Sequence, residues 1–281
     1  MSHKVKQIYS LLKAITIPSE IIEPSDCNKS KVLKVKFNKT PLWVRTLNNL
    51  FCGVVNDTYD LPFMLNKAVK KSNSEEPILI QKVMRGRTLC ILSRVNDEVY
   101  SRFDIFGVNF LSGMYRVPYE YWTITKLSPQ ILLGIQEIFQ QHLSKLTCPK
   151  GWLQIELIKG RKKWYISFLS ISKNIDKSLL EIRKLKEKKG EDNRIYFLKW
   201  IIPPSGVIEK ITGIDSALKT PGVEKIKIKL TPGETIKHIS DTTSRDKTGY
   251  IITSGNTLRS AIFSSTKALQ LLKIHTTNLF L

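Results

Sequence analysis

The sequence predicts an α+β protein organised on an antiparallel sheet, and three stretches carry that reading. Gly151–Ser172, GWLQIELIKGRKKWYISFLSIS, reads as a β-hairpin. On its first arm Leu153, Ile155 and Leu157 alternate with Gln154, Glu156 and Ile158. On its second arm Trp164, Ile166 and Phe168 alternate with Tyr165, Ser167 and Leu169. That is the period of two expected of strands. The basic turn Lys159–Lys163 joins the arms, with Gly160 available for a positive φ. A helix is predicted over Ser128–Leu146, with Ser128 as its cap, Pro129 in its first turn and Ile131, Leu132, Ile135, Ile138, Phe139, Leu143 and Leu146 on its apolar stripe. The third stretch, from Ile195 onward, is a succession of turns and short strands that ends in a helix over Leu258–Ile274, with Leu258, Ala261, Ile262, Leu269 and Leu272 on its inner face.

Composition bounds the class. A chain of 281 residues with 42% hydrophobic and 25% charged residues can bury a large core. No apolar run approaches the length of a bilayer span and no signal-peptide core is present, so the expectation is a cytoplasmic protein without a membrane contact. The cysteines, Cys27, Cys52, Cys90 and Cys148, are far apart without a C-x-x-C, which fits reduced structural thiols. The scattered histidines argue against zinc. The net charge of +21 has two readings. One is a polyanion partner, nucleic acid included. The other is a bias toward lysine: of the 45 basic residues only 11 are Arg, and bidentate phosphate or base recognition prefers Arg.

Earlier in the chain, His3–Ile15 is predicted as an amphipathic helix with Val5, Ile8, Leu12 and Ile15 on one face, ended at Ile17-Pro18. Val32–Phe37 reads as a half-exposed strand. Asp60 is placed as the cap of a helix reaching Asn73, with Leu61, Met64, Leu65, Ala68 and Val69 buried. Leu89–Val95 and Glu98–Arg102 form a hairpin around Asn96-Asp97. The lysine-rich Lys173–Arg194 reads either as a polyanion contact or, more simply, as a solvated helix end. Glu156 is the one acid on the Gly151–Ser172 hairpin, and a lone strand carboxylate is commonly a solvated edge residue.

The motifs taken together resemble the ATP-grasp proteins, in the carboxylate–amine branch that includes L-amino-acid ligases. Pro41-Leu42-Trp43-Val44-Arg45 resembles the strand that ends in a phosphate-binding Lys, with Arg45 in that place. Leu47–Gly53 stands where the family has a glycine-rich phosphate loop, and only Gly53 remains of it. Pro77–Gly86 resembles the adenine-holding hinge, with Gln81 and Lys82 in place of two acids and Val83 following. Glu156 matches the first metal-binding acid, whereas Ser167, Leu169 and Ile171 stand where the second Glu, the Asn and the Arg would be. The order Pro203-Pro204-Ser205-Gly206, Pro221-Gly222, Asp246–Ile252 and Gly255-x-Thr257 before the last helix resembles the C-terminal part of that branch.

The resemblance implies an ATP-grasp fold, a small lid subdomain over a larger and mainly antiparallel subdomain. Residues 1–18 would lead in, 19–88 form the lid, and 89–281 form the large subdomain, closed by 195–281. It implies a nucleotide site at Arg45, Gly53, Gln81, Lys82 and Val83, and a metal site at Glu156; no catalytic residue is assigned. ATP and Mg2+ would be the cofactors of an active member. With so many positions changed, the expectation is an eroded site and a binding or partner-subunit role. The alternatives are an active ligase forming an amide through an acylphosphate, and a nucleic-acid binding module. The α/β domain that precedes the lid in the family has no counterpart here, so the expectation is a protein partner or a homodimer on the surface that domain would cover.

Overall fold

A computed structural model describes residues 17, 19–27, 41–46, 51–72, 77–96, 99–138, 151–161, 163–172, 177–190 and 193–277. The helix expected over His3–Ile15, the strand Val32–Phe37, most of the Leu47–Gly53 loop and the distal half of the Ser128–Leu146 helix lie outside the described residues. The chain divides into two units: Met1–Ile105 with Leu111–Arg116 and Lys126–Ile175, and Phe106–Phe110 with Val117–Thr125 and Asp176–Leu281.

In the first unit, β1 (Ser19–Ile22), β2 (Leu42–Thr46), β3 (Cys52–Val55) and β4 (Ile78–Lys82) make an antiparallel sheet in the order β1-β4-β2-β3. Helix α1 (Leu61–Lys71) packs on one face. Period two sorts the side chains. Leu42, Val44, Ile78 and Ile80 meet Leu61, Met64, Leu65 and Ala68 of α1, while Trp43, Cys52 and Val54 face the other way, toward Ile17 and Ile158. Each large apolar side chain buried under α1 contributes about 1.5–3 kcal/mol. The helix is entered differently from the expectation. Asp60 makes no capping bond; Asp57 accepts from the Tyr59 amide and caps the short 3-10 turn Thr58–Asp60 that feeds it.

The same unit holds β5 (Thr88–Asn96), the first half of β6 (Val99–Phe110), helix α2 (Pro129–Ile138) and the hairpin β8 (Gly151–Lys159)–β9 (Trp164–Ser172). β5 pairs antiparallel with β8 from Thr88↔Ile158 to Val95↔Gly151, so β8 is central, as the apolar content of both its faces requires. Ser128 Oγ accepts from the Ile131 amide at the start of α2. Gly160 does not use a positive φ; a Cβ there would lie 2.7 Å from the Tyr165 ring, so the turn needs its small size.

In the second unit β7 (Pro118–Thr123) pairs with the end of β6 and with β10 (Ile195–Trp200), which pairs with β14 (Gly249–Gly255), which pairs with the edge strand β12 (Val223–Ile228). A smaller sheet has the order β13 (Thr235–Ile236), β11 (Gly206–Thr212), β15 (Lys273–Thr277). The helices are α3 (Lys177–Lys188), α4 (Ile214–Leu218), α5 (Thr242–Asp246) and α6 (Leu258–Leu271). Thr257 caps α6 by accepting from the Ser260 amide. The inner stripe of α6 is Ala261, Ser265 and Ala268, and Ile262, expected inside, is exposed. Small residues let the helix sit close to β14, where Thr253 Oγ1 donates to the Ala261 carbonyl at 2.7 Å. Among the described residues no helix is long and apolar enough to cross a membrane.

Candidate functional site

Two of the charged sequence candidates, Arg45 and Glu156, lie in one buried cluster of the first unit. β2 alternates, so Trp43 and Arg45 leave the α1 face together and point toward β8 and β9. Arg45 Nη2 is 3.0 Å from Glu156 Oε2, with side-chain exposures of 1% and 3%. Arg116, from the segment before β7, places Nη1 at 3.4 Å from the same oxygen. Arg45 Nη1 donates to the Ser167 carbonyl at 2.9 Å, and Arg116 Nη2 donates to Thr88 Oγ1 at 3.3 Å. Ser167 Oγ donates to Glu156, 3.3 Å from its backbone oxygen and 3.4 Å from Oε2. Aromatic rings cover both guanidinium planes: Arg45 sits 4.8 Å from the Phe168 centroid and Arg116 4.6 Å from that of Trp43. Glu156 is therefore not a solvated edge residue; it is buried and paired.

A register shift shapes this floor. Glu156 pairs with Phe168 and Leu157 with Ile166, so Ser167 is the extra residue of a β-bulge. The bulge breaks the period of two that would place Ser167, Leu169 and Ile171 together. Ser167 and Phe168 both reach the Arg45–Glu156 pair, while Leu169 pairs with Ile155 and Ile171 with Leu153. The hydroxyl and the ring that complete the cluster come from one irregularity that alternation alone does not reveal.

The electrostatics follow from burial and charge. Desolvation opposes ionisation of Glu156, and the two arginine charges with hydrogen bonds from Arg45 and Ser167 outweigh it, holding the carboxyl below its usual range. Burial pushes the neighbouring Cys52 thiol up, against the lowering pull of both arginines. One carboxylate thus serves two guanidiniums in a water-excluded site. Removing one member of such a group strands the others at a cost of about 3–5 kcal/mol.

The remaining sequence candidates lie on β3, on β4 and just after β4. Gly53 lies within β3, opposite Val44, rather than in a phosphate-cradling loop; a Cβ there would lie 2.7 Å from Met64 Sδ and 3.0 Å from the Phe51 ring. Gln81 is buried on β4, and its Nε2 donates to Ser19 Oγ at 3.2 Å. Lys82 is exposed at the strand end. The Val83 amide donates to the Pro41 carbonyl at 2.9 Å, and its side chain joins Ile17, Trp43, Cys52 and Ile158. That amide is spent within the protein, not held open for an adenine edge. Arg116, Thr88 and Phe168 were missed from sequence. Residue type gave no usable signal: Arg45, Arg116 and Arg245 are buried, whereas Arg85, Arg87, Arg94, Arg161 and Arg259 are exposed.

The fit of Mg2+ can be judged from the donors. A hard divalent cation needs several oxygen ligands and ordinarily takes one or two carboxylates beside waters and phosphates. Here Glu156 is engaged by two arginines, Ser167 supplies a neutral hydroxyl and Leu169 supplies none. Among the described residues no group of three or more His, Cys, Asp or Glu side chains could hold a metal ion. The donor set does not fit the ion.

Comparison with known proteins places this architecture. Solved structures that align with 99% or 96% of the chain include L-amino acid ligase from Bacillus licheniformis (17% identity, 72% of that chain, TM-score 0.73) and carboxyaminoimidazole ribonucleotide synthase from Aspergillus clavatus complexed with ATP (14%, 72%, 0.62). The biotin carboxylase domain of the Hydrogenobacter thermophilus 2-oxoglutarate carboxylase aligns with 99% of the chain and 66% of its own length, at 11% identity and TM-score 0.61. The fold is the ATP-grasp fold. Within it, residues 199–277 match the family model of the L-amino acid ligase C-terminal domain 2. No curated protein matches the sequence.

Proposed function

We propose that this protein keeps the ATP-grasp scaffold as a binding or partner subunit and has given up nucleotide-dependent ligation. The observation that carries the proposal is the Arg45–Glu156–Arg116 cluster. The acid that the family resemblance assigns to metal is neutralised inside the protein, and the cation assigned to phosphate is its partner. Ligation through an acylphosphate needs preorganised positive charge aimed at transferring phosphate. Two guanidiniums locked on one carboxylate and covered by Phe168 and Trp43 are committed elsewhere. Ser167, Leu169 and the in-strand Gly53 complete the loss. The sequence stripe of Val5, Ile8, Leu12 and Ile15, which lies outside the described residues, is proposed to meet a protein partner or a second copy.

A second reading, an active Mg2+-ATP-dependent amide ligase, is favoured by one observation: Arg45 and Glu156 meet, as an intact phosphate–metal site would have them neighbours. On that reading the ion cluster opens when nucleotide binds. An ADP-release assay on the purified chain with mixtures of amino acids separates the two. The proposal expects release indistinguishable from a protein-free blank. Robust turnover that requires both amino acid and Mg2+ overturns it.

A further inference from the structure

Two lysine runs separated by some 40 residues of sequence converge on one surface of the second unit. One is on α3, where Lys184 and Lys188 are exposed one turn apart; the other is Lys225, Lys227 and Lys229, along the edge strand β12 and just past it. Ile226 and Ile228 turn to the opposite face, into the core that Ala268 of α6 shares. The convergence is built by two acids. Glu181 of α3 accepts from Lys225 at 2.7 Å, and Glu224 of β12 accepts from Lys189 at 2.5 Å and from Ser254 at 2.5 Å. The Lys225 hydrogen bond holds the Glu181 carboxyl below its usual range against burial, and the charges of Lys225, Lys184 and Lys227 act in the same direction. Lys184 and Lys227 are thus both within electrostatic reach of Glu181. Both acids serve as struts, and among the described residues no acid forms an ion pair with Lys184, Lys188 or Lys227.

We infer that this α3–β12 surface binds the phosphodiester backbone of a nucleic acid. Its charges are in rows: alternate strand residues stand about 6.8 Å apart, and helix residues four apart stand about 6 Å apart. Arginine and lysine both contact phosphate oxygens, which positions a protein without reading bases, and Arg194 stands on the same surface, 3.9 Å from Glu224 with its side chain 48% exposed. Edge-strand lysines also block strand-to-strand aggregation, but that role concerns β12 alone and does not require the same charge on α3. A membrane surface is the weaker fit. An interfacial helix presents an apolar face to lipid, whereas Leu179 and Ile182 of α3 are buried, and the exposed large hydrophobics of this unit, such as Leu218 and Phe263, lie on neither element.

The test uses the full chain and a short fluorescein-labelled single-stranded RNA and DNA duplex, read by anisotropy between about 50 and 200 mM salt. The triple variant Lys184→Glu, Lys188→Glu, Lys227→Glu should weaken binding at least tenfold and flatten the log–log salt dependence by about 2, from three lost phosphate contacts at roughly 0.7–0.9 each. A control of equal charge change, Lys70→Glu, Lys71→Glu, Lys126→Glu, should stay within about threefold of the wild type. Replacing the three surface lysines by Arg should retain binding. Equal losses in the two Glu triples would reduce the effect to net charge and overturn the inference. So would a wild type that binds neither nucleic acid, or one that binds only phosphatidylserine vesicles.

Discussion

Replacing Glu156 by Leu removes the acid that pairs with Arg45 and Arg116 and leaves both guanidiniums buried. Truncating one partner of a buried ionic group costs about 3–5 kcal/mol, because the desolvated survivors lose their compensation. With a urea m-value of about 2–3 kcal/mol/M, that cost moves the midpoint down by about 1–2 M. Tryptophan fluorescence follows the transition, since Trp43 stacks on Arg116. The companion variant Glu156→Leu, Arg45→Met, Arg116→Leu removes the charges together. It should recover the wild-type midpoint or exceed it by up to about 4 kcal/mol of stability. A single variant that loses less than about 1 kcal/mol would refute the reasoning, since that is the scale of a solvated ion pair. A triple variant less stable than the single one would refute it as well.

Three further outcomes follow. Glu156 has a folded-state pKa below its unfolded value, so its stabilisation is fully present above the unfolded pKa and is lost as pH falls through the folded one. Acid titration of stability should therefore show a component below about pH 4.3 that the charge-free triple variant lacks. Gly53→Ala forces a Cβ against Met64 Sδ and the Phe51 ring, and a lower melting temperature corresponding to about 1–3 kcal/mol is expected. Thr257→Ala removes the cap of α6 and should cost about 0.5–2 kcal/mol by urea unfolding, whereas Thr257→Ser should cost little.

Much of the fold was legible because it is local. The hairpin alternation gave β8 and β9, the apolar spacing gave α1, and the turn and cap chemistry at Gly255-x-Thr257 marked the start of α6. Four features were illegible, each for a physical reason. The bulge at Ser167 is a cross-strand register event that the single strand does not encode. Arg116 enters the cluster through tertiary contact from a segment without periodicity. The helix face of Ile262 was misassigned because hydrophobicity was taken as the sign of burial, while close helix–sheet packing selected Ala261, Ser265 and Ala268. Leu272 and the residues after it left the helix to form β15, whose pairing with β11 supplies hydrogen bonds that a longer helix would forgo.

The central claim is that Glu156 is held by arginines and is not available to a metal–nucleotide complex. A thermal melt of the wild-type chain with and without excess Mg2+-ATP tests it most directly. A ligand at 100 times its dissociation constant adds about 2.7 kcal/mol to the folded state, which for a protein of this size raises the melting temperature by roughly 5–10 °C. The account predicts coincident melts with Mg2+-ATP, with ATP alone and with buffer. A rise of several degrees that needs both ATP and Mg2+, and that Glu156→Gln abolishes, would contradict it.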